Sequence, residues 1–222
     1  DGPFYISPNG NEFASGTESD PFGSLYAAVS HAATGDIIYV LPGTYTGDYN
    51  SEINLDDNFD ISIIGTGDVD ETVFDLDRSW LSLYRNTVTI QNITFTGSAN
   101  QSNVISANTE NGVTDVLTLD NCKFVDLQYS RAVNLSTDMT ANISDCVFSG
   151  NIGPSTDPGG SAIRLGDRNT LNLSHCLFYD NQSLYYSYQK GAIMSSAQNY
   201  TMNIDHCTFY DNGGEGSFAI YD

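Results

Sequence analysis

Four cysteines are the residues in this chain best equipped for chemistry, and two of them directly follow a histidine. They are Cys122, Cys146, Cys176 and Cys207, with His175 and His206 preceding the last two. Thiolate and imidazole are zinc ligands, and a Cys beside a His is also the pairing of an activated nucleophile. The spacing argues for something else. The cysteines lie 24, 30 and 31 residues apart, with no Cys-x-x-Cys pair, and each stands two residues before a phenylalanine. Recurrence at that period is the mark of a stacked repeat. In a stack the cysteines form an inward column of buried thiols. Two alternatives stay open. Vertical neighbours about 4.8 Å apart fall within the disulfide window, although parallel Cβ vectors resist the required dihedral. A metal is the other, although identical ligands in a column make a poor tetrahedron.

The remaining polar groups offer weaker constellations. Asp56, Asp57 and Asp60, and the run Asp68, Asp70, Glu71, Asp75 and Asp77, supply hard oxygens for Ca²⁺, but without an EF-hand spacing. No cofactor is otherwise expected. A glycosidase needs two carboxylates within about 5–9.5 Å, which a surface with 28 acids offers by chance. A lyase base would come from Arg78, Arg85, Lys123, Arg131, Arg164, Arg168 or Lys190, none of which forms a motif with its neighbours. We therefore assign no catalytic and no metal residues. Tyrosine is more suggestive. Tyr179 and Tyr210 follow the repeat phenylalanine and should face outward on adjacent coils, and "QSLYYSYQKG" adds Tyr185, Tyr186 and Tyr188. Together they make a candidate ligand-binding patch, since Tyr gives large contact area with a polar tip. Asn-x-Ser/Thr sequons at Asn92, Asn100, Asn134, Asn142, Asn172 and Asn199 are candidate glycosylation sites. A seventh, Asn181, is expected to anchor a loop inside.

The elements that position these residues follow from the repeat. Phe95, Phe124, Phe148, Phe178 and Phe209 form its backbone. An alternating apolar pair precedes each (Val88/Ile90, Leu117/Leu119, Ala141/Ile143, Leu171/Leu173, Met202/Ile204), and a third strand-like piece follows a variable loop. Three short period-2 segments and no helix per repeat describe a coil of parallel β-helix. A single coil cannot bury its apolar side, so stacking is obligatory. The first two strands of each coil are joined by a two-residue corner ending in Asn92, Asn121, Asp145, His175 or His206. Those residue types tolerate positive φ best, so the histidines read as corner residues. At the front, Leu25, Ala28, Val29 and Ala32 have helical spacing, and a short helix there would cap the open core. His31 in that helix is expected at the surface.

Composition bounds the partners. Seven basic residues against 28 acidic ones give a net charge of −21. A surface this acidic repels phosphate backbones and anionic lipid heads, so nucleic acid is not expected. No apolar run approaches the roughly 18 residues of a membrane span, and the N-terminus lacks the pattern of a signal peptide. We expect residues 1–222 to form one domain, with 1–45 as cap and first strand and 46–222 as coils. The chain reads as a fragment of a longer extracellular surface protein, monomeric, with signal and anchor outside it.

The front segment "ISPNGNEFASGTESDPFGSLYAAVSHAATGDIIYVLPGTYTG" resembles the cap and first coil of pectin-lyase-like right-handed β-helix proteins. The repeats pair Phe-x-x-Asn (Phe148/Asn151, Phe178/Asn181, Phe209/Asn212) with a small-residue piece before Ala-Ile, carried by Gly159-Gly160-Ser161-Ala162-Ile163 and Gly191-Ala192-Ile193, with a degenerate copy at Phe218-Ala219-Ile220. They are similar to those of polymorphic outer-membrane proteins and of adhesin-like surface proteins of methanogenic archaea. The resemblance implies an all-β, right-handed parallel β-helix with three short strands per coil and an N-terminal capping helix. It implies a non-enzymatic adhesin-like domain that attaches to a protein or carbohydrate of another cell. A polysaccharide lyase or hydrolase is the alternative, and a spacer the third reading. The polygalacturonase-like Asn-Thr-Asp, Asp-Asp and His-Gly set is absent from the chain.

Overall fold

A computed structural model describes residues 2–55, 59–100, 102–108, 115–155, 160–184, 191–195, 197 and 199–213, and the backbone of 218–221. Its described strands form three parallel sheets of eight, seven and seven strands. Each coil gives one strand to each sheet, as in Met139–Ser144, Val147–Ser149 and Ile163–Asp167. Strand n of one coil pairs with strand n of the next, in register: Phe124 with Phe148, Ile143 with Leu173, Val133 with Ile163. Local sequence dictates this. Alternation puts Leu171 and Leu173 inside and Asn172 outside, and no side chain between the strands favours a helix.

The core is a set of columns. Ring centroids of Phe95, Phe124, Phe148, Phe178 and Phe209 follow one another at 4.9, 5.0, 4.7 and 4.6 Å, all stacked. Two earlier rungs escape the sequence reading. Tyr45 and Phe74 extend the column toward the N-terminus, with Tyr45 to Phe74 at 4.9 Å and Phe74 to Phe95 at 5.9 Å. Trp80, with no exposed surface, packs against Phe74 and Phe95. Burying each ring contributes roughly 1.5–3 kcal/mol.

The corners bear out the left-handed expectation. Asn92, Asn121, Asp145, His175 and His206 have φ of 57°, 49°, 53°, 53° and 50°. A second left-handed column follows each ladder phenylalanine by two residues: Gly97, Asp126, Gly150, Asp180 and Asp211, with φ of 90°, 54°, 64°, 52° and 52°. Aspartate and glycine share that position for the same steric reason. The next residue is then Asn151, Asn181 or Asn212 in the later coils. These amides form an internal ladder. Asn151 Nδ2 donates to Asn181 Oδ1 and Asn181 Nδ2 to Asn212 Oδ1, both at 2.8 Å. The same nitrogens also donate to Phe124 O and Phe148 O.

The capping helix α1 spans Leu25–His31, shorter than the run to Ala32 read from the sequence. Ala32 is already extended, and the Ser24 hydroxyl accepts from Ala27 N–H at the other end. Leu25 and Ala28 are fully buried against the first coil. His31 is exposed, and its ring stacks on Phe22 at 4.8 Å.

Candidate functional site

The cysteines belong to the interior. All four are free thiols, and Cys122, Cys146 and Cys176 are buried. Cys122 N–H donates to Cys146 Sγ at 3.3 Å and Cys176 N–H to Cys207 Sγ at 3.4 Å, while the thiols point at carbonyls such as Ser144 O. The neighbouring thiols of Cys122 and Cys176, and then burial, push the Cys146 thiol well up. The hydrogen bond from Cys146 draws the Cys176 thiol the other way, down, but with 2% of its surface exposed Cys176 offers a reagent no access. Among the described residues, no group of three or more His, Cys, Asp or Glu is placed to hold a metal ion.

The charged residues are drawn into separate local pairs. Arg168 grips Asp138 of the preceding coil through Nε and Nη2, both at 2.7 Å, and Asp167 through Nη1 at 2.9 Å. Arg78 joins Asp48, Glu52 and Asp77 at 3.2–3.3 Å. Lys123 takes Asp70 at 2.6 Å, and Asp60 accepts from Thr87 N–H at 2.7 Å. Arg131 is buried and donates to Gly160 O and Asn103 Oδ1. The acids read from the sequence as Ca²⁺ candidates are therefore split: Asp70 and Asp77 serve different cations. Asp56, Asp57 and Lys190 lie outside the described residues.

Two outward rows run up the last two coils. His175 and His206, at their corner positions, stack at 5.4 Å, and His206 Nδ1 meets Asp205 Oδ1 at 2.7 Å. Tyr179 and Tyr210 pair in register on the second sheet and stack at 5.2 Å with 3° between rings. Tyr210 is 53% exposed. Tyr185, Tyr186 and Tyr188 lie outside the described residues.

The sequons separate by environment. Asn100 and Asn199 are exposed, Asn134 is buried, and Asn92 is a partly covered corner residue that donates to Gly65 O. Asn142 and Asn172 belong to a second amide ladder, on the outer face of the first sheet. Asn172 Nδ2 donates to Asn142 Oδ1 and Asn203 Nδ2 to Asn172 Oδ1, both at 2.8 Å. Sequence reasoning took these residues as sequons and missed the ladder. The signal was available: Thr-x-Asn recurs at 140/142, 170/172 and 201/203.

Residues 81–222 match the family model described as the right-handed β-helix region. The chain belongs to the right-handed β-helix family. The match fixes the hand of the solenoid that the three parallel sheets already define. No curated protein matches the chain in sequence. Among solved structures, a rhamnogalacturonan lyase is similar at 12% identity and a TM-score of 0.39, over 86% of this chain and 72% of that one. A lacto-N-biosidase from Eubacterium ramulus gives 12% and 0.45, over 92% of this β-helix and 57% of the enzyme. A pectate lyase gives 13% and 0.38, over 96% and 72%. Likeness at this level bears on neither reaction nor ligand. No helix among the described residues is long and apolar enough to cross a membrane.

Proposed function

We propose that this β-helix is a non-enzymatic, adhesin-like binding domain, acting outside the cell and attaching to a protein or carbohydrate on the surface of another cell. The observation that carries the reading is the Tyr179/Tyr210 pair. Two aromatic side chains stand side by side on the outer face, with nothing in the fold requiring them there. The same register positions in earlier coils hold Val125 and Ser149, and Ser149 is buried. Rigid, amphipathic rings held by strands lose little entropy on contact, which suits recognition. The deep net negative charge favours a neutral or basic partner.

The test is a cell-adhesion assay with a glycan array, comparing the domain with Tyr179→Ala/Tyr210→Ala. The variant should keep its melting temperature and lose adhesion. Unchanged adhesion would remove the pair from the site. Depolymerisation of an acidic polysaccharide by the purified domain would overturn the non-enzymatic reading.

A further inference from the structure

The end of the solenoid that α1 covers carries a cavity apart from the tyrosine pair. It holds about 230 Å³ and is lined in part by Glu12, Ser24, Thr44, Thr46, Asp48 and Tyr49. Its walls are fixed by bonds within the protein. Asn50, which is buried, ties α1 to the first coil: its Oδ1 accepts from Leu25 N–H at 2.9 Å and its Nδ2 donates to Thr46 O at 3.0 Å. Ser24 Oγ donates to Glu12 Oε2 at 2.6 Å while it accepts from Ala27 N–H at 3.2 Å. A Cβ on Gly23 would stand 2.7 Å from Glu12 Oε1, so glycine there leaves the room that the carboxylate takes. Exposed aromatic residues belong to the same segments. Tyr49 lines the cavity with its ring 5.8 Å from that of Tyr26, and the two are 61% and 56% exposed. Phe13, next to Glu12 in the chain, is 95% exposed.

These groups are short of a donor. Glu12 spends Oε2 on Ser24 and Asp48 spends Oδ1 on Arg78; among the described residues their other oxygens have no hydrogen-bond partner. The charge is one-sided too. Arg78 answers Asp48, Glu52 and Asp77 together at 3.2–3.3 Å, so that with Glu12 four carboxylates share this end with one guanidinium. Such a site draws a cation and repels an anion. The acceptors come from residues far apart in the chain rather than from one carboxylate. A planar guanidinium matches the edge of a single carboxylate, whereas an ammonium spreads three donors among separate acceptors. The apolar stem of a lysine also suits the flanks of Tyr49 and Tyr26, whose ring faces attract its charge. A second copy of this chain is a poor occupant, because 28 acidic residues outnumber 7 basic ones in it.

We propose that the cavity beside α1 docks a lysine side chain of a basic protein partner, with Glu12 and Asp48 receiving the ammonium and Phe13, Tyr26 and Tyr49 meeting the apolar residues around it. The site is independent of Tyr179 and Tyr210, which stand on the last two coils. The test is a titration of the ¹⁵N-labelled domain, read from the amide signals of Gly23, Asp48 and Asn50. The probes are acetyl-Leu-Lys-Leu-amide, the same peptide with norleucine for lysine, which keeps the stem and drops the charge, and cadaverine, a free diamine. The lysine peptide should shift and saturate these signals, and the norleucine peptide should leave them in place. The lysine peptide should also bind about tenfold tighter than cadaverine, which brings no flanking residues to the aromatic rings. Glu12→Gln, which keeps an acceptor for Ser24, and Asp48→Asn should each weaken the peptide by about tenfold with an unchanged melting curve. Tyr179→Ala/Tyr210→Ala should bind it as the parent does, so this site and the adhesion site fail separately. Absence of any shift, an equal response to the norleucine peptide, cadaverine binding as tightly as the lysine peptide, or undiminished affinity in both carboxylate variants would each overturn the proposal.

Discussion

Replacing Asn181 by alanine tests whether the Phe-x-x-Asn amide is an internal hinge-pin or one more polar residue in an Asn-rich chain. Asn181 has no exposed surface. Its Nδ2 donates to Phe148 O and Asn212 Oδ1, and its Oδ1 accepts from Asn151 N–H and Nδ2, at 2.8, 2.8, 3.4 and 2.8 Å. Alanine removes all four bonds, and the Asn151 N–H is left inside without this acceptor. At about 1 kcal/mol for each bond, the loss is about 4 kcal/mol. For a chain of this size that lowers the melting temperature by about 8–16 °C. The control is built into the protein. Asn172→Ala breaks two amide bonds of the same length, but on the outer face, where water replaces them. It should cost less than about 0.5 kcal/mol. Urea denaturation followed by circular dichroism measures both. Equal losses in the two variants would refute the distinction between an inner, structural ladder and an outer, available one.

Three further outcomes follow from the same geometry. With a thiol reagent under native conditions, Cys207 alone of the four cysteines should label, because the other three are buried; rapid labelling of Cys146 would contradict the closed column. His175→Asn should leave stability unchanged, whereas His175→Val, a β-branched residue at φ 53°, should cost about 1–2 kcal/mol in a thermal melt. Equal tolerance of both would mean the corner is not what selects the histidine. Asp115 is buried, its Oδ2 has no partner among the described residues, and burial raises its carboxyl above the ordinary range. A carboxyl raised in the folded state supports folding while protonated and withdraws that support as pH rises through its folded value. Asp115→Asn should therefore gain stability relative to the parent as pH rises above about 4, and a difference that does not change with pH would count against the assignment.

The Phe ladder, the cysteine column and the first corner were legible because each places a distinctive residue at a fixed offset from another. Tyr45 and Phe74 were hidden because their column partners two residues earlier are Gly43 and Thr72, which break the Cys-x-Phe and Ile-x-Phe pattern while occupying the same inward place. The second corner was written in the sequence as glycine or aspartate two after each phenylalanine. It is easily taken for ordinary loop composition. Outward residues were harder. Tyr179 and Tyr210 could be placed because they touch the ladder phenylalanine in sequence. The outer amide ladder depends on hydrogen bonds between residues 30 and 31 positions apart, and only register reveals those. Coil lengths that vary through the loops blur that register in the sequence, so function written between coils is less visible than packing written within them.

The direction of the strand pairing also settles how this solenoid carries load. Among the described strands, each pairing joins one coil to the next, so these backbone bonds lie along the long axis. Tension applied along that axis loads the terminal coil first and opens it bond by bond, as a zipper opens. A coil of about 30 residues then releases about 100 Å of slack before the next is strained. A force across the axis meets all the bonds of a coil–coil interface in shear together. The same molecule is thus compliant end-on, giving way in measured steps, and stiff sideways.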